Sequence, residues 1–168
     1  MKLIPRGTAL RIPAVLALMA LAATAFAQKA IVVVRHAEKA DQSTDPVLSA
    51  EGTARAEALA KALRSLEVKA VYVTQYKRTV LTAAPLMTAA GLEPIEVHAD
   101  ATADLVARMK REHPGDVVLT VGHSNTVPRI LERLGVAETI ALGDNDYDNL
   151  FIVVPAASGP PTLLRLKF

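Results

Sequence analysis

The chain has 168 residues, no cysteine, and 19 Lys and Arg against 17 Asp and Glu, a formal net charge of +2. That length suits one domain around a single core. The missing cysteines exclude a disulfide framework, and the near balance of charge excludes a polybasic nucleic-acid surface.

Residues 1–27 read as a secretory signal peptide. Lys2, Arg6 and Arg11 form a basic start, Ile12 to Ala23 is apolar, and Ala25-Phe26-Ala27 is a small-x-small cleavage site before Gln28. The apolar stretch is short for a membrane span, which takes about 20 residues. The expectation is therefore cleavage after Ala27, no stable membrane insertion afterwards, and a bacterial protein in the periplasm or secreted. An uncleaved anchor is the alternative. Cleavage removes three basic residues and no acidic one, which takes the formal net charge from +2 to −1.

Residues 28–168 alternate strand-like and helix-like patterns, which predicts a three-layer α/β/α sandwich with a mostly parallel sheet. Ala30 to Val34 is a short β-branched run, the pattern of a buried parallel strand. The polar stretch Ala40 to Val47 contains Asp45-Pro46 and reads as a loop. Ser49 is placed to cap a helix ending near Leu66, with Leu59, Leu63 and Leu66 as its core stripe. Ala70 to Val73 is a second strand. Tyr76 to Ala90 is a helix, with a kink expected at Pro85 and a stop at Gly91. Ile95 to Val97 is a third strand, and Thr102 to Glu112 a third helix. Val117 to Val121 is a fourth buried strand, followed by a helix over Thr126 to Leu134 that Gly135 stops. Asn149 to Pro155 and Thr162 to Leu166 are the last strands.

Three strand ends carry chemistry. The first runs into Arg35-His36-Ala37-Glu38-Lys39, the second into Thr74 to Thr79 with Arg78, and the fourth into Gly122-His123-Ser124-Asn125. Open α/β folds bind ligands beyond the carboxyl ends of their strands. Two arginines facing one point require an anion, and guanidinium forks match phosphate oxygens in geometry and charge. A histidine among them attacks phosphorus or moves a proton. A second histidine donates to the charged oxygens of the transition state, a contribution of about 3 kcal/mol per donor. Ser124, Asn125 and Thr126 stand at a helix start, where their N–H groups hold an anion or Ser124 or Asn125 caps the helix.

Arg35-His36-Ala37-Glu38, Arg78 followed by Thr82-Ala83, and Gly122-His123-Ser124-Asn125 together resemble the histidine phosphatase superfamily, the phosphoglycerate-mutase-like fold, over about Ala30 to Phe168. The resemblance implies that His36 is transiently phosphorylated and that Arg35, Arg78 and His123 complete the phosphate pocket; Ser124, from its place at the helix start, is expected to bind substrate with them. It is to the short, single-domain branch: between Glu93 and Pro114 there is no room for the cap insertion of larger relatives. The family's proton-donating glutamate has no clear match, and Asp100, with Asp104 behind it, is the best-placed substitute.

The function these features imply is an exported phosphatase acting on a small-molecule or peptide phosphorylated substrate, without nucleic acid. No cofactor and no metal is expected, because Arg35 and Arg78 already neutralise phosphate. The alternatives are a non-catalytic periplasmic module that binds a phosphorylated ligand, and a metal-dependent hydrolase using His36, Glu38 and His123. Glu38 reads as an orienter of an arginine or as an exposed loop carboxylate. Lys39 reads as a solvated lysine at the pocket mouth, and His98 and His113 as loop residues. Asp144-Asn145-Asp146-Tyr147-Asp148 lacks the glycine and terminal glutamate of a calcium loop. It reads as a polar loop at the rim, with Tyr147 near substrate.

Overall fold

The computed structural model describes residues 29–168. The signal segment over 1–27 and the Gln28 that cleavage exposes lie outside the described residues. The elements follow in the order β1 (Ala30–Arg35), α1 (Ala50–Leu63), β2 (Val68–Val73), α2 (Lys77–Ala90), β3 (Pro94–Glu96), α3 (Thr102–Glu112), β4 (Val117–Gly122), α4 (Val127–Arg133), β5 (Asn149–Val154) and β6 (Thr162–Lys167).

The strands form a six-stranded sheet in the order β3-β2-β4-β1-β5-β6. β1 to β4 pair in parallel. β5 runs antiparallel to β1, and β6 antiparallel to β5. β1 and β4 lie at the centre, and every residue of β4 and every residue of β1 after Ala30 is buried. That double-sided burial explains their unbroken apolar runs. Successive side chains point to opposite faces. Ile31 and Val33 therefore join the layer of α3 and α4 through Leu105, Met109, Ile130 and Leu131. Val32 and Val34 join the layer of α1 and α2 through Leu59, Leu63, Ala83 and Leu86. The result is the predicted three-layer sandwich.

This arrangement positions the site. The chain leaves β1 toward α1 on one face and leaves β4 toward α4 on the other, so a crevice opens between the two strand ends. Arg35 pairs with Gly122 in the register, and the His36 N–H donates to the Gly122 carbonyl at 2.9 Å. His36 and His123 thus come side by side. Because β5 is antiparallel to β1, with Leu150 opposite Val34, the loop before β5 arrives at the same end.

The predicted boundaries hold to within a few residues. Ser49 caps α1, accepting from the Gly52 N–H at 3.0 Å. The helix closes at Leu63, earlier than Leu66, because the Leu66 N–H turns back to the Leu63 carbonyl at 2.9 Å and Glu67 takes a φ of 47°. Gly91 ends α2 with a φ of 66°, a left-handed conformation that favours glycine. Pro85 sits inside an α2 that runs unbroken from Lys77 to Ala90. Neither Ser124 nor Asn125 caps α4. Thr126 holds that position, and its Oγ1 accepts from the His123 N–H at 2.8 Å. The Thr126 N–H is itself spent on the His123 carbonyl at 3.1 Å, so it is not offered to an anion.

Candidate active site

Arg35 ends β1 and is 6% exposed; His36 follows it and is 4% exposed. Burying a guanidinium requires partners for its N–H groups. Arg35 Nη1 donates to the Gly143 and Asp144 carbonyls at 2.7 and 3.0 Å. Its guanidinium carbon lies 4.1 Å above the Tyr147 ring. The loop read as polar therefore does border the rim, and it does so by gripping Arg35.

Arg78 lies in the first turn of α2. Its guanidinium stacks on Tyr76 at 4.2 Å and reaches to 3.5 Å from His123 Nδ1. Burial, more than any other influence, holds this guanidinium below its ordinary pKa, with Tyr76 and Asp45 acting the other way. The Nε atoms of Arg35 and of Arg78 are both buried without a protein partner. Both arginines line one cavity, and two guanidinium groups there suit an anion.

The proton positions of the two histidines follow from their partners. His36 Nδ1 lies 2.8 Å from the Ala37 carbonyl, which only accepts, so Nδ1 carries the proton. The pKa of His36 is pushed down to about 3: burial is the main cause, the Ala37 carbonyl opposes it, and His123, Arg78 and Arg35 add repulsion. At neutral pH its Nε2 is therefore an unprotonated nucleophile. His123 Nδ1 faces Arg78, which only donates, and its Nε2 lies 3.1 Å from Thr74 Oγ1. The proton of neutral His123 is thus on Nε2. Burial, then Arg78 and Arg35, lower the His123 pKa to about 4. The two rings are 5.3 Å apart in edge contact, and Tyr76 meets His123 edge-on at 5.4 Å.

Buried threonines tie these parts together. Thr82 Oγ1 accepts from the Ala37 N–H at 2.9 Å and donates to the Arg78 carbonyl at 2.7 Å. Thr79 Oγ1 accepts from the Thr74 N–H at 3.0 Å and donates to the Tyr76 carbonyl at 2.8 Å. The turn that delivers Arg78 and the turn that delivers His36 therefore share one hydroxyl.

Arg35, His36, Arg78 and His123 line a cavity of about 380 Å³ together with Ser124, Asn125 and Lys39. Asp100 is on its rim, but its side chain is 93% exposed and pairs with His98 Nδ1 at 3.5 Å. Asp104 is exposed on α3 and does not line this cavity. Lys39 Nζ donates to Gln42 Oε1 at 2.9 Å. His113 contacts Asp116 at 3.3 Å. Glu38 does orient an arginine, but that arginine is Arg55 of α1, 2.6 Å away, and not one of the pocket pair. The carboxylate is thereby drawn away from the His36, Glu38, His123 metal set. Among the described residues no group of three or more His, Cys, Asp or Glu is placed to hold a metal ion.

Sequence reasoning missed Tyr76, Thr74, the role of the Thr126 hydroxyl and the two carbonyls that hold Arg35. Tyr76 had a local signal, two residues before Arg78. The carbonyls had none, since every residue carries one.

The family model of the histidine phosphatase superfamily (branch 1) matches residues 31–102. No curated protein matches the chain. Among solved structures, the fold resembles a putative α-ribazole-5′-P phosphatase from Escherichia coli, with 12% identity, a TM-score of 0.69 and coverage of 84% of this chain and 97% of that one. It also resembles the protein histidine phosphatase SixA complexed with tungstate, with 18% identity, a TM-score of 0.67 and coverage of 82% and 96%. A mycobacterial glucosyl-3-phosphoglycerate phosphatase with inorganic phosphate gives 17% identity, a TM-score of 0.64 and coverage of 82% and 95%.

Proposed function

We propose that this chain, whose residues 31–102 match the family model of the histidine phosphatase superfamily, is an exported, metal-independent phosphatase that cleaves a phosphate ester or related phosphoryl compound through a phosphohistidine on His36. One observation carries this reading: a neutral His36, its Nδ1 proton committed to Ala37, shares one cavity with the guanidinium groups of a buried Arg35 and a half-buried Arg78. Export rests on the basic start, apolar stretch and Ala25-Phe26-Ala27 of the sequence.

The steps follow from the proton positions. Arg35 and Arg78 take the phosphoryl oxygens, and His36 Nε2 attacks phosphorus as the bond to the leaving oxygen breaks. The arriving dianion offsets the repulsion from the arginines, so His123 gains a proton on Nδ1 and donates it as a hydrogen bond to a phosphoryl oxygen, while Nε2–H stays on Thr74. Water then attacks the phosphohistidine and releases phosphate with His36 neutral again. The leaving group takes its proton from solvent or from Asp100. The exposure of Asp100 favours a second reading of the substrate, one with a leaving group that departs unaided, such as a phosphoramidate, acyl phosphate or anhydride.

The test uses the chain lacking residues 1–27 and p-nitrophenyl phosphate in excess chelator. Turnover with an acid-labile, base-stable label on the protein is expected. Tight phosphate binding without turnover would favour the binding module, and activity restored only by added zinc or magnesium would favour the metal hydrolase. N-terminal sequencing of the exported protein should begin at Gln28.

A further inference from the structure

Glu38 and Arg55 do not line the cavity, yet they form the most extensively bonded ion pair near it. Arg55 Nε donates to both Glu38 carboxylate oxygens, at 2.7 and 2.8 Å, and Nη2 lies 2.6 Å from Oε1. The side chains are 20% and 14% exposed. Arg55 is anchored in turn by the Phe168 carbonyl, which accepts from Nη1 at 3.2 Å. A second hold on Glu38 comes from the start of α1. Its carbonyl accepts from the Ser49 N–H at 3.0 Å, and a Cβ added at Gly52 would collide with that same oxygen. Glu38 is thus fixed at backbone and side chain by one helix.

The residue before it is the one that matters to the chemistry. The Ala37 carbonyl belongs to the peptide unit joining Ala37 to Glu38, and it is the acceptor for His36 Nδ1–H. The Ala37 N–H is held by Thr82. Thr82 holds the peptide before this one and the start of α1 holds the peptide after it, so both ends of the Ala37–Glu38 unit are anchored and its turning is resisted. The partner of one ring nitrogen decides which nitrogen carries the proton. If the plane turns, the Nδ1–H form loses its acceptor, and the form with hydrogen on Nε2 has no lone pair toward the substrate.

We propose that Arg55 is a positioning residue for the nucleophile, acting through Glu38 to hold the Ala37–Glu38 peptide and with it the proton on His36 Nδ1. This rests on the reading of His36 as the nucleophile, but the decisive measurement does not require turnover.

The ligand-free protein is labelled with ¹⁵N-histidine and its ring nitrogens are read by NMR at neutral pH. Wild type should show neutral His36 with hydrogen on Nδ1. Arg55→Ala should show a mixture of the two neutral forms. On p-nitrophenyl phosphate its kcat should fall about tenfold while KM stays within about twofold, because Arg35, Arg78 and His123 still hold the phosphate. Arg55→Lys keeps the charge but lacks the planar fork, and should give an intermediate mixture even where Arg55→Ala fails to fold. Lys77→Ala, which breaks a different ion pair near the same rim, should leave the His36 spectrum unchanged. A folded Arg55→Ala, or failing that Arg55→Lys, with the wild-type proton position on His36 overturns the proposal, whether or not the protein hydrolyses anything. A chain that shows the Arg55 dependence but never turns over would instead refute the phosphatase reading alone.

Discussion

The floor of the cavity and its rim are built differently. On the floor, Arg35, His36 and His123 are each less than a tenth exposed, and each is held by a named backbone or hydroxyl partner. On the rim, Asp100 is 93% exposed and Lys39 reaches only a neighbouring glutamine. Preorganised groups out of water act on charge without reorganising, whereas exposed groups are screened. On the proposed reading, the difference means that the floor is built for the phosphoryl group and that the rim offers little to the group that departs.

The most damaging change should be on the floor. His36→Ala is expected to abolish turnover and the covalent label together, since the proposed phosphohistidine forms on this ring. Substantial residual activity would break the covalent mechanism. Next comes the pair of arginines. Arg78→Ala should cost about 10²–10³ in kcat/KM, the usual scale for losing a charged donor to the transition state. Arg78→Lys should recover only part of this, because a point charge does not replace a fork. Full activity in Arg78→Lys would mean that simple charge is enough on the floor.

Smaller effects should appear with pH. Buried among cations, His36 and His123 refuse protons until about pH 3 and 4, while in the unfolded chain they bind them near 6.5. The unfolded state therefore takes up protons first as pH falls, and the contribution of these rings to stability, intact above 6.5, is lost on acidification toward 4. Denaturant midpoints should drop over that window, and by less in a variant with both histidines replaced by glutamine. In the free protein the His36 ring should titrate far below 6.5. A titration near 6.5 would show that the floor is wet. The smallest effect is expected at the rim: Asp100→Asn should change p-nitrophenyl phosphate hydrolysis by less than about twofold. A fall of about 10² with an alkyl phosphate would make Asp100 the proton donor after all and erase the contrast. Equal rates would retire it and pass the same test to Asp104.

Much of the floor was legible because its signals are local. An apolar run ending in Arg35-His36, another ending in Gly122-His123, and Arg78 just past a third are each contiguous in sequence, and parallel strands place all three at one end of the sheet. What was not legible depends on distant pairing. The antiparallel register of β5 brings the Gly143 carbonyl to Arg35 across 108 positions, and nothing at either position announces it. Arg55 drew no attention in the sequence, and only the fold sets it beside Glu38. Pro85 lies within α2, which continues through it as Ala83, Leu86 and Met87 pack on the sheet.

The grip on Arg35 by two main-chain oxygens separates what this loop must keep from what it is free to change. A carbonyl is the same in every residue, so substitutions at Asp144 leave the grip intact, whereas adding or removing a single residue between α4 and β5 moves both oxygens off the guanidinium. For this grip the length of the segment therefore matters more than the side chain at Asp144, and a one-residue deletion should cost far more than Asp144→Ala.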